Sequence, residues 1–144
     1  MKQLLLLLCL AILGTNPLEA KETPIPSVIL HSFFSKFKSA TDVCWSQNNG
    51  FTVASFSVDH HKKFAYYSHS NELILVAEPI TADRLPSNLQ EEIESMYKHY
   101  ATVDVYKLDE NGNTTYSAVV ENEKRKIFLK SAGNYWEEVK LVKK

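Results

Sequence analysis

Two stretches of the chain show the four-residue spacing of a helix with one buried side. Ile29, Phe33 and Phe37 recur every four residues in the first stretch. The second stretch has a longer stripe, made of Leu89, Ile93, Met96, Tyr97 and Tyr100, with glutamate and glutamine residues between its members. Apolar residues repeating with a period near 3.6 indicate an amphipathic helix. We therefore predict two helices, each with one face to bury.

Shorter runs rich in β-branched and aromatic residues follow each predicted helix, separated by asparagine and glycine. This composition is typical of strands joined by hairpin turns. After the first helix the expected strands are residues 42–46, 51–58, 63–69 and 72–77, and after the second they are 102–108, 114–120, 126–130 and 135–142. Tyr116, Ala118 and Val120 alternate with polar Ser117, which indicates that one face of the sheet is buried under the helices.

The two halves follow the same plan. Pro26-Ser27 opens the first helix, and Pro86-Ser87 stands at the equivalent place in the second half. Proline beside serine suits a helix start, and self-similarity at a fixed spacing indicates an internal repeat. The predicted fold class is α+β, with two repeats of one helix followed by about four antiparallel strands and with the helices packed on one face of the sheet. The repeats are expected at about 24–80 and 84–142, inside a single compact domain over 21–144.

The amino terminus has the order of a secretory signal. A single charge at Lys2 precedes ten apolar residues, Leu4 to Leu13, and Pro17 and Ala20 follow. The apolar run is shorter than the roughly 20 residues that span a bilayer. We predict a signal peptide over 1–20, cleavage near Ala20, a periplasmic or secreted protein and no stable membrane insertion.

Charge and cysteine content narrow the classes of partner and the sources of stability. Removal of residues 1–20 takes out Lys2 and Glu19, so the formal net charge stays at −1, which argues against a nucleic-acid partner. Only Cys44 is left, and a lone cysteine cannot form an internal disulfide. Cys44 is expected to be a small buried hydrophobe, with a disulfide to another chain or a reactive thiol as alternatives. Lipidation of Cys9 is an alternative to simple cleavage.

The sequence contains no motif that carries chemistry. His60 and His61 are adjacent, and neighbours on a strand point to opposite faces, so we expect a solvated hairpin tip and no metal site. A Gly-x-Ser-x-Gly elbow and a phosphate-cradling glycine loop are both missing. An enzyme would need a pair between Cys44 and a distant histidine, assembled by folding. We predict no catalytic residues, no cofactor and no enzymatic activity.

Several of these residues also carry a resemblance. Pro26-Ser27 before a helix, the Phe37-x-x-Ala40-x-x-Val43-x-Trp45 stretch and the strand-turn-strand segments after it resemble the β-lactamase-inhibitor-like, PepSY-like family of bacterial exported proteins. The resemblance covers roughly residues 24–142. It implies a helix plus four strands used twice, export, and protein binding, with inhibition of secreted enzymes among the roles of the broader fold. It implies no general activity.

Aromatic residues in the predicted strands form the candidate binding site. The residues are Tyr66, Tyr67, Tyr106, Tyr116, Tyr135 and Trp136. If the helices cover one face, some rings lie on the other, where exposed tyrosine and tryptophan favour protein interfaces. The alternative is that the rings pack against the helices or at hairpin ends. The expected function is an exported, non-enzymatic module that binds an envelope or secreted protein or peptide. The alternative is a carrier holding a small apolar ligand between helices and sheet.

Overall fold

The computed structural model describes residues 23–144. The expected signal peptide and Cys9 lie outside the described residues. The described chain forms two compact units, one ending at Glu78 and the other spanning Pro79–Lys144. We call them the first and the second unit and describe each separately.

Within these residues the chain forms two α-helices and eight strands, which confirms the predicted α+β class. Helix α1 (Ser27–Lys36) precedes four strands of the first unit: β1 (Thr41–Asn48), β2 (Phe51–Val58), β3 (His61–Tyr67) and β4 (Leu73–Pro79), the last ending one residue into the second unit. Helix α2 (Ser87–Met96) follows a short 3-10 turn (Ala82–Arg84) and precedes β5 (Ala101–Glu110), β6 (Asn113–Glu121), β7 (Arg125–Ala132) and β8 (Tyr135–Lys143). All the expected strands are present; β3 begins and ends two residues earlier than predicted, and several others are longer by a few residues.

The first unit is built around Phe33. Strands β1 to β4 pair in chain order, each antiparallel to the next. Ile29 and Phe33 on α1 are fully buried against a cluster from β2 and β3: Ala54, Phe56, Ala65 and Tyr67. The Phe33 ring meets the Phe56 ring edge to face, with centroids 4.9 Å apart, and lies 5.1 Å from the ring of Trp45. Edge-to-face pairs of this kind add about 0.5–1.5 kcal/mol to the burial itself.

Tight turns set the register of these strands. Asp59 and His60 join β2 to β3 with φ of 51° and 65°, so both residues adopt the left-handed conformation of a two-residue hairpin turn. Both side chains are exposed, so His60 lies at a solvated tip as predicted, whereas His61 is already the first residue of β3. Asn111 and Gly112 join β5 to β6 in the same way, with φ of 54° and 87°. Because a slip of one residue would move every side chain to the other face, these turns decide which residues meet the helix.

The second unit has the same arrangement around α2. Strands β5 to β8 pair antiparallel in chain order. Leu89 and Ile93 pack against a buried set from all four strands: Val105, Ala118, Val120, Ile127, Leu129 and Trp136. The prediction that Met96 belongs to the buried stripe is wrong, because Met96 is the last residue of the helix and is 67% exposed. Tyr97 and Tyr100, just beyond the helix, close this end of the core with their rings 5.9 Å apart.

Truncation of Phe33 tests the core of the first unit. Phe33→Ala is expected to lower the free energy of unfolding by about 3–5 kcal/mol, since it removes a fully buried ring and leaves a cavity. Phe34→Ala is the matched control, because the neighbouring ring is 53% exposed and its loss should cost less than about 1.5 kcal/mol. Chemical denaturation measures both. Equal losses would show that the helical phase is misassigned.

A second pair of variants tests the core of the second unit. Ile93→Ala is expected to cost about 2–5 kcal/mol because Ile93 is buried against the strands. Glu94 is the next residue in the chain and lies on the exposed side of α2. Glu94→Ala should therefore change the free energy of unfolding by no more than about 0.5 kcal/mol. Denaturant midpoints of the two variants decide the matter, and a Glu94 variant as unstable as the Ile93 variant would contradict the packing of α2.

Candidate binding face

Each unit has a sheet face turned away from its own helix, which we call the helix-free face. Side chains alternate between the two faces of a strand. Ala118 and Val120 of β6 belong to the core under α2, so Ser117 and Val119 point the other way. The same alternation assigns every predicted aromatic residue to one face or the other.

Two of the six predicted site residues lie under α2. Trp136 is buried, and its indole Nε1 donates a hydrogen bond of 2.9 Å to the Leu89 carbonyl of the helix. The backbone N–H of Trp136 also donates to Glu92 Oε2 at 3.0 Å, and Tyr116 packs against the same core. The prediction that these two rings are exposed for binding is therefore wrong. Both rings follow the alternative prediction, in which the aromatic residues pack against the helices, and Trp136 holds α2 on the sheet.

The two tyrosines of β3 are also unavailable at the surface. Tyr67 is fully buried in the core under α1, where burial raises the pKa of its hydroxyl. Tyr66 points to the helix-free face, but it is buried in a row of directly paired side chains with Val53 on β2 and Leu75 on β4. Paired side chains on neighbouring strands lie about 4.5–5.5 Å apart and cover one another. For Tyr66 and Tyr67 the prediction of exposed rings is wrong.

Tyr135 and Tyr106 remain on the helix-free face of the second unit. Tyr135, at the start of β8, precedes the helix-facing Trp136 and is 54% exposed. Tyr106 on β5 lies opposite Ser117 and is half-buried. Burial, and to a smaller degree the charge of Asp104, raises the pKa of the Tyr106 hydroxyl. Both rings are positioned by strands and not by loops, which gives a binding surface a fixed geometry.

Phe128 and the lysines beside it were not among the site residues predicted from the sequence. Phe128 is buried on the helix-free face of β7, with Lys126 Nζ 5.8 Å and Lys140 Nζ 6.0 Å from its ring centroid. The alternation of Lys126, Phe128 and Lys130 with apolar Ile127 and Leu129 could have revealed that these residues share a face. Lys140 could not be placed this way, because a register irregularity after Phe128 sets it opposite the ring.

Other lysines of the second unit form ion pairs, but the two lysines beside the Phe128 ring do not. Lys130 Nζ pairs with Glu110 Oε1 at 3.1 Å, and Lys144 Nζ pairs with Glu121 Oε2 at 3.2 Å. Within residues 23–144 neither Lys126 nor Lys140 has a carboxylate within salt-bridge distance. The face therefore presents an aromatic ring under two unpaired ammonium groups, with Tyr135 on the same strand as Lys140.

A pocket of about 250 Å³ opens beside α2 in the second unit. Leu85 and Ile93 contribute apolar surface, while Asp83, Gln90 and Glu94 contribute polar groups. The Gln90 side chain is held in the lining, since its Nε2 donates a hydrogen bond to the Leu85 carbonyl at 2.7 Å. Carrier sites are usually about 300–1,000 Å³ and mostly apolar. This pocket is smaller and carries two carboxylates, so it does not favour the carrier alternative.

Cys44 is exposed, and the prediction that it is buried is wrong. Its neighbours Val43 and Trp45 pack on the side of α1, so alternation directs Cys44 to the other face. Within the described residues no hydrogen bond or ion pair joins Cys44 to a histidine. The same part of the chain holds no group of three or more His, Cys, Asp or Glu side chains that could bind a metal ion. It also has no helix long and apolar enough to cross a membrane.

Comparison with solved structures identifies the fold. A BLIP-like protein from Bacteroides fragilis superposes with a TM-score of 0.73 at 21% identity, over 86% of this chain and 91% of that one. A DUF2874 family protein from Bacteroides uniformis gives 0.72 at 14% identity, over 83% and 90%. A predicted periplasmic protein from Bacteroides eggerthii gives 0.72 at 13% identity, over 84% and 90%. No protein-family model and no curated protein matches the sequence.

The fold is therefore BLIP-like, and the resemblance seen in the sequence is confirmed at the level of the fold. A shared fold places strands and helices but leaves function to the particular side chains it carries.

Replacement of Trp136 tests whether its role is structural. Trp136→Phe keeps a ring in the core but removes the donor to the Leu89 carbonyl, and it is expected to cost about 1–3 kcal/mol of unfolding free energy. Tyr135→Phe is the control, since Tyr135 is largely exposed. Denaturation of both variants gives the comparison. An unchanged Trp136→Phe stability would contradict the anchoring role.

The hydroxyl of Tyr97 should make stability depend on alkaline pH. Burial and a 3.0 Å hydrogen bond to Glu138 Oε1 raise the pKa of Tyr97 well above its usual value near 10.0. The unfolded chain then releases this proton at lower pH than the folded chain, so the contribution is present below about pH 10 and is lost as the pH rises further. Tyr97→Phe should flatten the fall in denaturant midpoint above that pH, and an identical fall in the wild type and the variant would contradict the assignment.

Proposed function

We propose that this chain is an exported, non-enzymatic module that binds a protein or peptide through the helix-free face of its second unit. The observation that carries the proposal is the group formed by Phe128, its two unpaired lysines and the exposed Tyr135, all on β7 and β8. Tyrosine is enriched at protein interfaces, whereas lysine is depleted there and contributes mainly through charge complementarity with the partner.

Export is supported by two independent features. The first is the amino-terminal order of one charge, a short apolar run and a small residue at Ala20. The second is the likeness in fold to a predicted periplasmic protein from Bacteroides eggerthii. We place the mature protein in the periplasm or outside the cell.

The likeness to a BLIP-like protein makes inhibition of a secreted enzyme the first activity to assay. Not every predicted ring could meet an enzyme, because three of the six are buried and the half-buried Tyr116 packs against the core under α2. Tyr135 and Tyr106 are the aromatic contacts that remain. An inhibitory role would therefore depend on these two rings and on the lysines beside Phe128.

Capture from an envelope extract tests the proposal. The mature chain is immobilised, bound proteins are identified, and each is bound again to variants. Tyr135→Ala combined with Tyr106→Ala is expected to weaken binding by about tenfold or more, because loss of an interface aromatic commonly costs about 2 kcal/mol.

Met96→Ala is the matched control for this experiment. It removes a large side chain that is 67% exposed in the same unit, at the end of α2 and away from the strands. Its binding should equal that of the wild type. Failure to capture a specific protein, or capture weakened as much by Met96→Ala as by the tyrosine pair, would contradict the proposal.

A further inference from the structure

The carboxyl-terminal strands carry a concentration of positive charge that the overall composition conceals. Residues 124–144 contain seven Lys or Arg and only two Glu, although the whole chain has a formal net charge of −1. Helix α2 is the opposite, with Glu91, Glu92 and Glu94 and no basic residue. The second unit is therefore divided into an acidic helix and a basic pair of strands.

Strand register brings the basic residues together at one end of the β7–β8 ladder. On the helix-free face Lys140 lies opposite Phe128, with Lys126 on the other side of the same ring, whereas Arg125 lies opposite Lys143 on the helix side, in alternation with Ile127. Like charges opposite each other on neighbouring strands destabilise a sheet. Lys126 and Lys140 also bring two ammonium groups to one ring on the helix-free face, and their mutual repulsion is the reason to look for an external anion.

The carboxylates of this region do not neutralise the cluster. Glu121 lies opposite Lys126 on β6, but its Oε2 pairs with Lys144 at 3.2 Å. Glu137 lies opposite Lys130, and Glu138, opposite Leu129, is on the helix side, where it accepts a hydrogen bond from the Tyr97 hydroxyl. Within residues 23–144 no salt bridge involves Arg125, Lys126, Lys140 or Lys143.

Protection of a sheet edge explains only part of this pattern. Lysines on an edge strand discourage pairing with other chains, which accounts for Lys140 and Lys143 on β8. It does not account for Arg125 and Lys126, because β7 is paired on both sides. The cationic residues of an internal strand need a different reason.

We propose that this end of the β7–β8 ladder binds an acidic segment of the protein partner, an inference that rests on the proposed function. Carboxylates of the segment pair with Lys126 and Lys140 over Phe128, and Arg125 and Lys143 raise the local potential that attracts them. A compact acidic segment fits better than an anionic membrane. A membrane surface would also meet Glu137, which lies opposite Lys130 on the same face, and the paired carboxylates of Glu110 and Glu121.

The test uses a fluorescent oligoglutamate peptide and the mature chain. Titration at low salt should show saturable binding that weakens as salt is added, since exposed charges are screened. Lys126→Gln with Lys140→Gln should weaken binding by about tenfold or more, the combined effect of two lost charge-assisted contacts. Lys126→Arg with Lys140→Arg should retain it.

Lys36→Gln with Lys38→Gln is the matched control, because it removes the same charge from exposed positions in the first unit. Peptide binding that is lost equally in this control, or no saturable binding by the wild type, overturns the inference. Binding to phosphatidylglycerol vesicles but not to the peptide also overturns it, in favour of a lipid surface. A different result is a captured partner whose binding requires Tyr135 and Tyr106, together with a peptide that fails to bind. That result would leave the proposed function standing and overturn only the inference of an acidic segment.

Discussion

Burial of a single helical stripe against the strands of its own unit is the constraint on which the rest of the structure depends. Only one cysteine follows the predicted signal peptide, so packing has to stabilise the described chain. In the first unit the stripe is centred on the fully buried Phe33, and in the second on Leu89 and Ile93 with the Trp136 hydrogen bond. Because strands alternate, fixing one face under the helix also fixes which side chains are left for a partner.

The helices, strands and turns could be predicted because their signals are local. A four-residue spacing identified both helices, and Asn-Gly pairs marked turns whose positive φ values the structure contains. Met96 was wrongly predicted to be buried because it is the last residue of the helix. The spacing of apolar residues does not predict the residue at which a helix ends. The exposure of Cys44 could have been read from Val43 and Trp45, whose apolar side chains take the helix side of β1.

The candidate site was harder to predict because it depends on contacts between distant residues. Tyr66 and Tyr67 look equally accessible in the sequence, yet one is covered by α1 and the other by Val53 and Leu75. The group around Phe128 needs Lys140 on the neighbouring strand, and a register irregularity places it there. Long lysine stems lying over the ring keep it buried while their ammonium groups stay at the surface. Composition alone conceals this cationic surface, because α2 carries the compensating acidic residues.

Site-specific photo-crosslinking in the living cell tests most directly whether the helix-free face is the binding face. A photoreactive phenylalanine analogue is placed at Tyr135 on β8 in one strain and at Phe34 on α1 in another, and both positions are more than half exposed. If the helix-free face is the binding face, a defined adduct with a partner protein forms from the Tyr135 position and none forms from the Phe34 position. An adduct that forms from Phe34 and not from Tyr135 would contradict it.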